Sequence, residues 1–306
     1  MSPHTHSIYV EIVIRCPIDD LWRYTQTPDL HRRWDLRFSD IEYLPRPDMA
    51  QPQRFLYATR IGFGFRIQGE GESHGTHTDS QGQRTSALRF WSGDPKSLIQ
   101  AGTGYWKYTP TEDGIRFVTG YDYQVRFGRV GRAFDAFVFR PLLGWATAWS
   151  FDRLRVWLEK NIDPATSLQR SLIYALARLA IACVWLYHGL IPKLIYQHPT
   201  ELALLHAAGI PLSLTSTVLT IIGLSEITFG LIVVLAWWQR WPLIVSIALM
   251  FLVTASVALS SPSLLIAAFN PVTLNLLVAV MSLIGLLSGA DLPSARHCQR
   301  GQREDL

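Results

Sequence analysis

The stretch 172–193, LIYALARLAIACVWLYHGLIPK, is too long and too uniformly apolar to lie on the surface of a water-soluble domain. At about 1.5 Å per residue its run matches the ~20 residues that a bilayer core demands, and Pro192 stops it. It reads as a transmembrane helix and divides the chain into halves of different chemistry. Residues 1–165 carry 21 Lys+Arg and 19 Asp+Glu, whereas residues 166–306 carry 7 and 5. Most of the latter sit at the ends of three further apolar blocks, 215–238, 242–259 and 272–287, as expected where lipid is the solvent. The net charge of +4 is therefore no signal for nucleic acid.

In the first half, residues 7–15 alternate, with Ile8, Val10, Ile12 and Ile14 on one face, and so predict a strand buried on one side. Two short helices follow at 17–24 and 29–34. Strands are then predicted at 39–44, 54–61, 65–73, 85–91, 102–109 and 115–126, separated by turn signals that imply an antiparallel meander. The opening MSPHTHSIYVEIVIRC has no basic region leading into an apolar core, so no cleavable signal peptide is expected and this domain is placed in the cytoplasm.

A long helical segment, 129–160, closes the domain, with Pro141 expected to kink or divide it. Phe134, Phe137, Val138, Phe139, Leu142, Leu143, Trp145 and Trp149 go nearly all round this helix, whereas packing on one sheet needs a single stripe. Two surfaces should cover it: the sheet, and either a bound apolar ligand or the membrane. Arginines interleaved through 126–160 suit an anionic bilayer surface.

The order strand, two small helices, antiparallel strands and long C-terminal helix, with the stretch PIDDLW at 17–22 and Arg33-Trp34-Asp35, resembles the START-like superfamily, also called SRPBCC or polyketide cyclase-like. The resemblance implies an α+β helix-grip fold over residues 1–163. In it the long helix crosses a curved sheet and leaves a cavity for a lipid or other hydrophobic small molecule. On that basis Trp34, Phe65, Trp91, Trp106, Tyr121, Phe137 and Trp145 are candidate cavity residues. Strand aromatics such as Phe55, Phe90 and Tyr123 are equally expected as plain core. Among candidate acids and bases, His31, Asp35, Glu70, His74, His77 and Asp122 show no spacing that dictates a reaction, which favours binding over catalysis. Cys16, Cys183 and Cys298 form no CxxC or Cys/His cluster and read as free thiols, with no metal site.

In the second half, 201–208 is expected as a helix at the membrane interface, and 264–269 as a shallow dip into its surface. A polar, disordered tail is expected at 291–306. With four spans, Arg153, Arg155, Lys160, Arg170, Arg240, Arg296, Arg300 and Arg303 all fall on one side, and Lys193 on the other. The Lys/Arg bias makes the first side cytoplasmic.

Glu226 lies mid-span, where a charge costs several kcal/mol unless paired or protonated. Gly223 and Gly230 share its helix face and direct it into a close helix contact. By depth, Glu226 lies ~18 Å above the inner end of its helix, with Arg178 at ~10 Å and His188 at ~25 Å on theirs, which makes those two its expected partners and Lys193 a poorer one.

Arg178, Trp185-Leu186-Tyr187-His188-Gly189, Pro192-Lys193, His198-Pro199 with Glu201, Gly223, Glu226, Gly230 and Asn270-Pro271 with Asn275 together resemble the DoxX-like integral membrane proteins. That resemblance implies an all-α four-helix inner-membrane bundle over 164–290, and some of its members are linked to membrane quinone or sulfur redox chemistry. Arg178, His188, Lys193, Glu226 and Asn275 form the candidate intramembrane polar site.

The combined expectation is a membrane-anchored binding protein for a lipid or other hydrophobic molecule. Its partners are membrane lipids and that ligand, with room for a membrane-protein partner, and its cofactor is left unassigned. The alternative is an oxidoreductase component that binds a quinone and uses Glu226 to handle protons.

Overall fold

The computed structural model describes residues 7–301 apart from 47, 49, 50, 63 and 269. The chain forms two compact units, Met1–Ser167 with Asp291–Leu306, and Leu168–Ala290.

In the first unit, β1 (Ile8–Ile14) leads into α1 (Ile18–Gln26) and α2 (Pro28–Trp34). There follow β2 (Asp40–Tyr43), β3 (Gln53–Gly62), β4 (Phe65–Thr78), β5 (Arg84–Trp91), β6 (Ile99–Thr111) and β7 (Gly114–Val125). The sheet is antiparallel in the order β1-β7-β6-β5-β4-β3-β2, a meander closed by β1 returning beside β7. The alternation in β1 does what its period requires: Ile8, Val10, Ile12 and Ile14 are buried.

Across the ladder, directly paired residues share a face, so one face can be followed from strand to strand. It runs from Phe117 and Tyr121 through Tyr108 and Trp106 to Ser86, Leu88 and Phe90, and on to Phe55, Tyr57 and Tyr43. This is the face that carries the helices: Phe117 stacks on Phe151 with ring centroids 4.3 Å apart, and Tyr43 donates to the Gln26 carbonyl at 3.0 Å.

The closing helix is divided, as Pro141 demands, into α3 (Gly128–Phe134), a π-helical segment Asp135–Phe139 and α4 (Arg140–Lys160). The wider π turn precedes the proline, whose missing N–H would otherwise break the ladder. Entry into α3 requires Gly131, because a Cβ there would sit 1.8 Å from the Arg126 carbonyl oxygen.

The two covering surfaces expected for this helix are only partly realised. From Thr147 to Trp157 it is buried, and its second cover is the chain's own C-terminal segment. The expectation of a disordered tail fails for 291–301. Asp152, wholly buried, accepts from the Ser294 amide at 2.7 Å, His297 Nδ1 at 2.8 Å and Arg155 Nε at 2.6 Å. Cys298 donates to the Ala148 carbonyl, and Gln299 pairs with Glu11 beside β1. A buried carboxylate must be supplied with donors, and the tail supplies two of them. Residues 302–306, including Arg303, lie outside the described residues.

The second unit contains four helices long and apolar enough to cross a membrane. They are α5 (Pro164–His188) extended by a π-helical turn Gly189–Ile195, α7 (Leu212–Leu235), α8 (Trp241–Ser260) and α9 (Pro271–Ser288). The short α6 (Pro199–Ala207) occupies the predicted interfacial segment, and a 3-10 turn (Pro262–Ile266) occupies the predicted dip, of which Phe269 lies outside the described residues. The chain leaves the first unit near Ser167 and rejoins it at Asp291.

Candidate functional site

The helix-bearing face of the sheet is filled at one end and bare at the other. At the β1–β7–β6 end, Trp34, Trp106, Tyr108, Phe117 and Phe151 form a buried aromatic cluster, with Trp34 and Trp106 6.3 Å apart. Within it lies a charged group that sequence spacing did not single out. Asp35 caps the C-terminus of α2 one turn beyond His31, and Arg37 follows two residues later. Arg37 grips Asp35 in a fork, Nε to Oδ1 at 2.9 Å and Nη2 to Oδ2 at 2.6 Å, while His31 Nε2 lies 3.0 Å from Oδ2. His31 stacks on Trp34, and the Arg37 guanidinium lies over the Tyr121 ring.

Burial pulls the His31 imidazole below its ordinary value, and Asp35 only partly restores it. Burial alone would raise the Asp35 carboxyl; the Arg37 charge and the His31 and Arg37 hydrogen bonds reverse this and hold it well below the carboxylate range. The group therefore sits as a neutral imidazole beside a closed ion pair. It fastens the loop after α2 to its neighbours: the Leu36 amide donates to Ser150 Oγ at 2.9 Å and Thr59 to the Arg37 carbonyl at 2.6 Å. The signal was the i,i+4 spacing of His31 and Asp35 on a short helix with an arginine two residues on.

At the β2–β5 end the floor is made of aromatic rings laid flat over glycines. A Cβ on Gly71 would lie 2.3 Å from the Phe55 ring, one on Gly69 2.3 Å from the Tyr57 ring, and one on Gly102 2.4 Å from the Phe90 ring. Only glycine lets a ring lie against the neighbouring strand in this way. These rings are half-buried, and α4 packs along β1 at the other end of the same face. Two open hollows, of about 480 and 580 Å³, lie on the outer face and mix charged residues such as Glu70, Arg66, Glu72 and Arg89 with apolar ones such as Leu56 and Trp91.

The seven candidate cavity residues are not gathered in one place. Trp34, Trp106 and Tyr121 are buried in the packed cluster, where Tyr121 shares a 2.7 Å hydrogen bond with Thr147. Trp91 alternates with Phe90 and so faces the outer side. Phe65 is 61% exposed beside the β3–β4 turn, and Phe137 and Trp145 are 84% and 43% exposed on the helical segment. Sequence periodicity gave no means of telling which face of that segment meets the sheet, because both are apolar.

The intramembrane polar residues also separate. Glu226 pairs with Lys193, Nζ to Oε2 at 3.0 Å, and not with Arg178 or His188. The same ammonium lies 3.6 Å from Glu201 on α6 and donates to the His188 carbonyl at 3.5 Å. The depth argument assumed a regular helix through Lys193; the π turn 189–195 changes the angle at which that side chain leaves, and brings it onto α7. Backbones touch here: a Cβ on Gly189 would be 2.5 Å from the Gly223 oxygen, and one on Gly223 would be 2.8 Å from the Gly189 oxygen.

Arg178, fully buried, instead caps the C-terminus of α7, donating to the carbonyls of Val233 at 2.6 Å, Ala236 at 2.9 Å and Gln239. A cation there satisfies carbonyls left unpaired at a helix end. Asn275 on α9 donates to Thr254 Oγ1 on α8 at 2.9 Å, a clasp between those two helices.

The first unit is similar in fold, at low identity, to several solved structures. Over 52% of this chain and 97% of its own it matches a STAR-related lipid transfer protein fragment from Xanthomonas axonopodis, at 15% identity and a TM-score of 0.37. With the di-domain ARO/CYC StfQ of the steffimycin pathway the figures are 51% of each chain, 17% and 0.39. In sequence, 183 residues are 48% identical to the uncharacterized membrane protein YndG of Bacillus subtilis (strain 168), covering 60% of this chain and 68% of that protein. Residues 182–283, which hold the Lys193–Glu226 pair and the Asn275 clasp, match the profile of the DoxX-like family. The chain therefore belongs to the same family as that membrane protein, and its residues 182–283 form a DoxX-like domain.

Proposed function

We propose that this is a membrane-anchored protein whose soluble unit binds a lipid or other hydrophobic small molecule on the bare end of the helix-bearing face, with the four spans holding it in a bacterial inner membrane and both chain ends in the cytoplasm. The supporting observation is the floor of Phe55, Tyr57 and Phe90 rings over Gly71, Gly69 and Gly102. Rings so placed offer flat, half-buried apolar faces rather than edges, and apolar and aromatic side chains are the usual lining of a small-molecule site. The test is mass spectrometry of small molecules extracted from the full-length protein in mild detergent. A defined apolar ligand class, depleted in Phe55→Ala/Phe90→Ala, is expected; identical extracts from the two proteins would dispose of this site.

A second reading rests on Lys193 lying between Glu226 and Glu201. An intramembrane charge set of this kind suits a quinone-binding component in which Glu226 handles protons. In that case a quinone accompanies the full-length protein irrespective of Phe55 and Phe90, and is lost in Glu226→Gln.

A further inference from the structure

The first half of the closing helical segment is amphipathic in the wrong sense for a soluble protein. Gly131 and Asp135 face inward and are buried, and Asp135 accepts from Tyr123 Oη at 2.6 Å and from Arg140 Nε at 2.9 Å. On the outward side Val130, Phe134, Phe137, Val138, Leu142 and Trp145 recur at helical spacing and are all exposed, Val130 to 79% and Phe137 to 84%. A water-facing helix carries its apolar stripe toward the core; this one carries an acidic side chain inward and its aromatics outward. Contiguous exposed apolar surface of this kind marks an interaction site.

Charge says what kind. Arg129 and Arg132 are exposed beside the stripe, and neither is held in an ion pair among the described residues. The single acid of the segment, Asp135, is used up by Tyr123 and Arg140. Unpaired arginines flanking Phe and Trp fit a surface that is apolar below and anionic above. The chain is also tethered to such a surface, since α4 ends at Lys160 and the first span begins at Pro164.

We propose that the outward stripe of α3, the π segment and the start of α4 lies in an anionic bilayer surface as an in-plane anchor, additional to the four spans. It is independent of which ligand the soluble unit takes. Ala133 is exposed between Val130 and Phe137 on the same stripe and can carry a probe without loss of an aromatic. The experiment uses the full-length protein with Cys16 and Cys183 replaced by alanine, Cys298 being buried, and an environment-sensitive fluorophore on Ala133→Cys. A control carries it on Glu112→Cys in the exposed β6–β7 turn.

Reconstituted in phosphatidylcholine vesicles containing phosphatidylglycerol, the 133 probe is expected to be blue-shifted and quenched by lipid-borne doxyl groups several-fold more than the 112 probe. Arg129→Glu/Arg132→Glu should remove most of that difference. Equal quenching at the two positions would overturn the proposal. So would a 133 shift that persists at the same size in lipid-free detergent and grows with protein concentration, since a second copy would then be the occupant.

Discussion

Lys193 and Glu226 stand 3.0 Å apart across the contact between the π turn after α5 and the middle of α7, and Glu201 approaches the same ammonium at 3.6 Å. One cation thus serves two carboxylates contributed by α6 and α7. The arrangement depends on the irregular turn: it places a lysine from beyond Pro192 beside a glutamate that a regular helix would have left to other partners.

The two partners should therefore be unequal in mutation. Lys193→Met leaves both Glu226 and Glu201 without a counter-charge, and breaking a buried pair in this way costs about 3 kcal/mol. Glu226→Gln leaves Lys193 with Glu201 and should cost less. The double variant should recover part of the loss of Lys193→Met, because one stranded charge is gone. Thermal melts of the four proteins in one detergent read the cycle; an additive result would mean the two side chains do not act together.

Close backbone approach at the same contact gives a second expectation. Gly189→Ala would push its Cβ to 2.5 Å from the Gly223 carbonyl oxygen, a backbone atom with little freedom to retreat. Overpacking of this sort costs about 1–3 kcal/mol. Gly209→Ala, where a Cβ meets nothing within 4 Å but φ is +89°, should cost about 1 kcal/mol through backbone strain alone. Equal melting temperatures for Gly189→Ala and the parent would show that the helices are looser than drawn.

The strands, the two short helices, the division at Pro141 and the four spans were legible because each rests on a period or a punctuation mark in the sequence. The β1 alternation and the length of the apolar blocks are of this kind. What was illegible depended on a choice between equivalent options. Phe137 and Phe151 look alike in sequence, yet one faces out and the other stacks on Phe117. Asp152 gave no hint that it would be met by Ser294 and His297, because a contact across more than a hundred residues leaves no local spacing to read. Lys193 was misjudged because a π turn shifts side-chain direction without any composition signal beyond Pro192.

The His31–Asp35–Arg37 group makes the soluble unit sensitive to acid. Asp35 titrates below its ordinary value in the folded chain, so its contribution is fully present above about pH 4 and is lost as pH falls from there. His31 is also lowered; the unfolded chain binds its proton first as pH drops through about 6.5, which again favours unfolding. Both signs agree: the melting temperature should fall on acidification from about pH 7.5, in two stages. His31→Gln should flatten the first stage and Asp35→Asn the second, at the expense of lower stability at neutral pH, because Arg37 then loses its partner. A parent protein with a flat profile between about pH 7.5 and 4 would contradict this account.

The C-terminal segment is expected to be a working part of the soluble unit rather than an appendage. Ending the chain at Ala290 removes the Ser294 amide and His297 from Asp152, Cys298 from the Ala148 carbonyl and the Gln299 pairing from Glu11. Asp152 then keeps only Arg155. Leaving a buried carboxylate short of donors while uncovering the back of α4 should cost about 3–5 kcal/mol, more than any single exposed substitution. Limited proteolysis should cut the truncated protein within residues 7–167 at protease concentrations that leave the parent intact. Asp152→Asn/His297→Ala in the full-length chain should fall between the two. The same contact fixes a topological expectation: reporters placed at the N-terminus and after residue 306 must respond from one side of the membrane, and opposite responses would mean that the tail does not rejoin the soluble unit in the bilayer.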